Sequence, residues 1–200
     1  MDIQGKNGNQ DVDVRVNSDG NILNNTFNAR YYELVKTGNV YSVANQSGIT
    51  TQAGLSATTP ALTLFNPSGS GVTGILLYAG CVNTVAFAAA SVIWLGANTN
   101  VVASAVSGTL TTAHRNNNLG AASGNKIQAL LAATLPAAPV AISTLGVGLT
   151  GAITTVPQIQ TLGKWYDGAI LIKEGAAISF QTSTASGASG FFGEFIWAEI

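Results

Sequence analysis

The chain has 200 residues, one cysteine, one methionine and one histidine, so neither an internal disulfide nor a cluster of soft metal ligands is available to it. Only 8% of its residues are charged, against a usual value of about 25%, and the formal net charge is −1. An uncharged, slightly acidic chain is a poor partner for nucleic acid or an anionic membrane, and its length suffices for one domain with a self-supporting core.

The charges are unevenly placed. Nine of the seventeen fall within residues 1–36, and the seventy-eight residues from Thr37 to His114 contain no Asp, Glu, Lys or Arg. A solvated surface normally carries about a quarter to a third charged residues. A body this poor in charge is expected to be covered by something else.

The opening Met1-Asp2-Ile3-Gln4-Gly5-Lys6 has no charged-then-apolar pattern, so no signal peptide is expected, and the acceptor-like triplets at Asn24 and Asn45 are read as chance. Within residues 1–36, Val12, Val14 and Val16 alternate with Asp11, Asp13, Arg15 and Asn17, a period of two that predicts a strand with one wet face. Asn17-Ser18-Asp19-Gly20-Asn21 signals a turn after it, and Ile22, Leu23, Phe27, Tyr31 and Tyr32 follow as apolar anchors in polar surroundings. Two readings stand here. One is an ordinary first hairpin; the other is an extended N-terminal arm, residues 1–36, whose strand adds to a neighbour's sheet edge and whose contacts are Val12, Val14, Val16, Ile22, Phe27, Tyr31 and Tyr32.

The body, residues 37–200, reads as short strands at 40–44, 61–65, 72–78, 85–95 and 101–106, separated by turn chemistry such as Asn66-Pro67-Ser68-Gly69-Ser70-Gly71. Strands at this spacing without intervening helices predict an all-β antiparallel sandwich, jelly-roll-like, rather than an α/β fold. The apolar run 74–97 has the length of a membrane span, but Gly80, Asn83, Thr84 and Ser91 interrupt it and no basic residue flanks it; two buried strands joined by a turn are expected instead. One short helix is predicted near 125–135, where Ile127, Leu130, Leu131 and Leu135 share a helical face, Asn125 and Gln128 resemble a capping box and Pro136 ends the run. It is placed in an insertion spanning about 109–157. Strands at 169–172, 176–182 and 191–200 then close the fold. On the last of these Phe195 and Trp197 share one face while Glu194, Ile196 and Ala198 share the other. A strand apolar on both sides is expected to pack against the core and a neighbour together, which makes Phe195 and Trp197 the expected oligomer interface.

Chemical motifs are weak. Gly69-Ser70-Gly71-Val72-Thr73-Gly74 matches a dinucleotide fingerprint, but a strand-like Ile75-Leu76-Leu77-Tyr78 follows it and no acid stands about 20 residues on. The calcium-loop likeness at Arg15-x-Asn17-x-Asp19-Gly20 lacks the first acid and the bidentate Glu. His114 has no carboxylate within thirty residues to orient it. Paired-carboxylate hydrolysis would have to draw on Asp167, Glu174, Glu194 and Glu199, and stacking on a sugar would draw on Trp94, Trp165, Trp197 and Tyr166. No enzyme activity, cofactor or metal is expected.

Three stretches, Ala29-Arg30-Tyr31-Tyr32-Glu33-Leu34, Ala61-Leu62-Thr63-Leu64-Phe65-Asn66-Pro67-Ser68-Gly69-Ser70-Gly71 and Gly193-Glu194-Phe195-Ile196-Trp197-Ala198-Glu199, give the chain a pattern that resembles tailed-bacteriophage virion proteins. Within that group it is most similar to the small capsid decoration, or cement, proteins, and the resemblance covers most of the chain outside 109–157. It implies a homotrimer of β-sandwich bodies on the capsid surface of the virion, with arms gripping the major capsid protein. A tail-fibre or baseplate head domain binding a host glycan is the alternative, and a hydrolase a remote one.

Overall fold

A computed structural model describes residues 4–7, 10–13, 31–99, 106–111, 114–148 and 161–200. The body is a sandwich of two antiparallel sheets. Its strands are β3 (Val40–Ala44), β4 (Thr63–Asn66), β5 (Gly74–Asn83), β6 (Ser91–Asn98), β7 (Ser107–Leu110), β8 (Arg115–Asn116), β9 (Gln128–Thr134), β10 (Val140–Gly148), β11 (Thr161–Ile172), β12 (Ala176–Thr182) and β13 (Phe191–Glu199). Before them come a separate two-stranded ribbon, β1 (Gln4–Asn7) with β2 (Gln10–Asp13), and one short helix, α1 (Tyr32–Lys36).

One sheet has the order β10-β6-β12-β4-β9-β7 and the other β11-β5-β13-β3-β8. Eight of these strands, β10-β6-β12-β4 facing β11-β5-β13-β3, have the strand order of a jelly roll, because the chain changes sheet at every step from β3 to β6 and again from β10 to β13. Strands β7, β8 and β9 extend both sheets on one side. The insertion therefore lies between β6 and β10, residues 99–139, rather than at 109–157: β10 is one of the eight framework strands.

The expected helix near 125–135 is strand β9. Its apolar spacing arises because the strand is buried on both faces and carries an extra residue. Ile127, Ala129 and Leu131 face the central core, whereas Leu130, Ala133 and Leu135 join Phe65 and Ala177 on the opposite face under Ala57 and Val106. Between Leu131 and Thr134 the pairing with β7 slips, and Ala132 there has φ +48°. The bulge returns alternate residues to the same face, so a strand mimics the i, i+3, i+4 pattern of a helix.

The central core lies between the sheets and contains Leu62, Leu64, Leu76, Ile93, Leu95, Phe180, Phe191, Phe195 and Trp197, all at most 1% exposed. Phe180 stacks on Phe195 with centroids 4.5 Å apart. Phe195 and Trp197 are thus wholly enclosed by their own chain and present no surface to a neighbour, which corrects their expected place at an oligomer interface. The far side of the last strand is also covered from within: Ala198 packs with Val40 and Leu77 beneath Tyr31, Leu34 and Val35.

Residues 31–36 accordingly belong to the packed body rather than to an arm. Helix α1 ends in a Schellman motif, with the Gly38 amide donating to Val35 O (2.9 Å) and the Asn39 amide to Leu34 O (3.0 Å); Gly38 has φ +78°, the left-handed conformation that this cap requires.

Candidate assembly interface

Among the described residues, the two framework sheets each end in an edge strand on the same flank, β10 in one and β11 in the other. Side chains bridge these edges: the Tyr166 hydroxyl donates to Ser143 Oγ (2.8 Å), and Lys164 Nζ reaches the same oxygen at 3.3 Å. Leu162 lies over Gly146, where a Cβ would meet it at 2.7 Å, so glycine lets the two strands close the sandwich. Outward from this seam the flank is apolar. Of the ten large hydrophobic residues exposed among those described, Val140, Ile142 and Val147 stand on β10 and Trp165 and Leu171 on β11. Strand β10 has no charged residue, and its only neighbours in charge on β11 are Lys164 and Asp167. Monomeric proteins guard long edge strands with charge or proline; nine-residue β10 has neither, although both edges are interrupted by bulges. The signal for this face was present in the sequence, since residues 127–163 form a second run without Asp, Glu, Lys or Arg.

At one end of the flank the chain enters the body. Tyr31 stacks on Trp165 (6.3 Å between centroids, 15° between planes), Trp165 leans on Tyr78 (5.0 Å, 50°), and the Tyr31 hydroxyl donates to the Asp167 carboxylate. The Tyr78 ring covers Gly80 and Gly163, where any Cβ would collide with its hydroxyl end. Burial, and then the charge and hydrogen bond of Glu194, push the Tyr78 phenol above its ordinary value.

Of the expected arm contacts, Val12 is in β2, paired with Gly5 of the same chain, so one edge of that strand is already used. Val14, Val16, Ile22 and Phe27 lie outside the described residues. Tyr31 is half-buried against Trp165, and Tyr32 is 45% exposed with Lys36 Nζ 6.0 Å above its ring.

The residues weighed for chemistry have structural partners. Glu174 accepts the amides of Gly69 (3.0 Å) and Gly71 (2.8 Å), which hold its carboxyl below the usual carboxylate range. The fingerprint-like glycine loop is therefore filled by the chain's own anion. Glu199, 7% exposed, accepts the amides of Lys126 (2.8 Å) and Ile127 (3.1 Å) and the Trp197 indole N–H (2.9 Å). His114 Nδ1 lies 3.0 Å from Thr111 O. Burial, and then Glu194, push the Cys81 thiol up to about 12. Among the described residues no three His, Cys, Asp or Glu side chains gather as metal ligands, and no helix is long and apolar enough to cross a membrane. Of the three tryptophans, Trp197 is in the core, Trp94 is half-buried and Trp165 is 56% exposed. Comparison of the chain with protein-family models, curated proteins and solved structures finds no match.

Proposed function

We propose that this chain is a non-enzymatic virion structural protein that decorates and stabilises a bacteriophage capsid as a homotrimer, with residues 1–30 reaching neighbouring subunits of the major capsid protein. The observation that carries the reading is the apolar, nearly uncharged flank of β10 and β11, with the N-terminal segment entering the body at its end. A closed ring of three needs a head-to-tail contact between unlike surfaces, and the sandwich offers two unlike flanks. Against the β10/β11 edge stands the β7/β8 side, where Leu110 and Leu119 are exposed. A specific contact buries roughly 1,600 Å² in total, about 800 Å² from each partner, a small share of the chain's 10840 Å² of surface. Linked arms on one trimer then raise attachment through effective concentration, without any single tight contact.

Co-sedimentation with undecorated phage heads tests this, comparing the full chain with one lacking residues 1–30. The deletion stops at 30 because residues 31–36 pack on the sheet. Full-length protein is expected to pellet with heads and the shortened form to stay in solution; if the full-length protein also stays in solution, the capsid reading is wrong. The exposed Trp165 ring, flanked by Tyr31 and Tyr78, favours a second reading, a tail-fibre or baseplate domain that stacks a host glycan. Glycan binding lost in Trp165→Ala, with no affinity for heads, would establish that alternative.

A further inference from the structure

The chain enters the body over a distortion in β11. Between Trp165 and Ile170 that strand has four residues where β5 has only Leu77 between Tyr78 and Leu76. The bulge holds Asp167 at φ +51° and Gly168 at φ +90°. Left-handed backbone excludes most side chains, and Asp is among the few besides glycine that adopt it readily, so the bulge suits the Asp167-Gly168 pair. Here the distortion turns the Asp167 carboxylate onto the Tyr31 hydroxyl and leaves the Trp165 ring facing the Tyr31 ring. A regular strand would also place residues 165 and 167 on one face, about 6.6 Å apart; what the bulge adds is four residues opposite one, and with them the left-handed turn at Asp167 and Gly168 where the carboxylate meets Tyr31.

We infer that this bulge is a clasp for the root of the N-terminal segment: Asp167 and Trp165 hold Tyr31, and through it seat α1 on Val40, Leu77 and Ala198. Asp167 and Trp165 are positioning residues. With the clasp closed, the segment before Tyr31 departs from one fixed point beside the apolar flank. With it open, α1 loses its N-terminal anchor, and the segment is tethered from Gly38 onward instead. A longer tether lowers the effective concentration at a site of given span, so the clasp sets the reach of whatever the segment binds. This use of the clasp rests on the arm reading above; the clasp itself is testable without a capsid.

Amide hydrogen exchange on the isolated full chain is the test, in wild type and in Tyr31→Phe, Asp167→Asn and Asp167→Gly. The reporters are the amides of Val35, bonded to Tyr31 O (2.9 Å), and Gly38, bonded to Val35 O (2.9 Å); core amides such as those of Phe180 and Phe191 are the control. Loss of a hydrogen bond to a charged acceptor is expected to speed exchange at Val35 and Gly38 by about tenfold or more while the core amides hold their rates. Asp167→Gly separates the clasp from ordinary packing. Glycine adopts the left-handed backbone freely but removes the carboxylate and adds freedom to the unfolded chain, so its urea midpoint is expected to fall no further than that of Asp167→Asn even as the α1 amides exchange faster. Unchanged protection at Val35 and Gly38 in all three variants overturns the inference. So does equal acceleration of core and α1 amides, which would make these residues part of the general fold.

Discussion

Glu199 shows how a polar side chain fixes a distant element. Its buried carboxylate takes three donors, two from the residues just before β9 and one from Trp197, and so ties the insertion to the last strand. Glu199→Ala leaves the Ile127 amide and the Trp197 indole N–H buried without an acceptor, at roughly 1–3 kcal/mol for the first and less than additively for the second. A loss of about 3 kcal/mol in urea unfolding is expected, whereas Glu199→Gln, which keeps one acceptor, should lose less than half as much. Glu174 acts on the surface and through charge. Its folded-state carboxyl lies below the ordinary 4.5, so the clamp on Gly69 and Gly71 is fully present above that ordinary value and is lost as pH falls through the lowered one. The amide resonances of Gly69 and Gly71 are expected to shift together in that acidic window, and Glu174→Gln to abolish the titration. Cys81 supplies a third reading at this scale. A thiol that burial pushes up to about 12 holds almost no thiolate at pH 8, so a disulfide reagent should label it only as fast as the protein unfolds; prompt labelling in the native state would contradict its place in the core.

At the scale of elements, strands bracketed by clear turn residues are legible in the sequence whichever faces they bury, and those that a bulge interrupts are not. Strands 40–44 and 176–182 were read at their observed bounds, and the split of the apolar run 74–97 into β5 and β6 followed from its glycines and polar interruptions. Strand β9 was misread because both of its faces are apolar and the bulge at Ala132 disguises the period of two. Strand β10 falls within the expected insertion for a related reason: bulges at two places break its alternation. Phe195 and Trp197 were identified as strand aromatics, but periodicity alone does not say whether an apolar face meets its own chain or another. The facing sheet that covers them gathers residues from along the chain, from Leu62 and Leu64 to the neighbouring Phe180, and α1 covers the strand's other face at Ala198. The bulge at β9 also yields a measurable consequence. Ala132 is exposed at φ +48°, so Ala132→Gly removes a left-handed strain of roughly 1 kcal/mol, less the entropy that glycine adds to the unfolded chain. A small rise in the urea midpoint is expected; a fall of more than about 1 kcal/mol would mean that its methyl group packs.

For the molecule as a whole, the distribution of charge decides what the surface does. Two long uncharged runs, 37–114 and 127–163, hold most of both sheets, and the fold brings the exposed apolar residues of β10 to the side of the exposed residues of β11. Electrostatic repulsion, which keeps ordinary surfaces apart, is nearly absent from that flank. Placing two like charges there tests its role directly, because Val140 and Ile142 are 69% and 45% exposed and surface changes of this kind usually alter stability by no more than about 0.5 kcal/mol. The double variant Val140→Lys/Ile142→Lys is expected to keep the wild-type urea midpoint. In a ring of three, each interface would then bury two ammonium groups against an uncharged, largely apolar face, a desolvation penalty of several kcal/mol per ion against interfaces that are individually modest. Sedimentation velocity should therefore find wild type as a trimer and the double variant as a monomer. A double variant that remains trimeric moves the subunit contact off the β10/β11 flank. A wild-type monomer at every concentration removes the trimer itself, and leaves the apolar flank as a surface that meets a partner of a different kind.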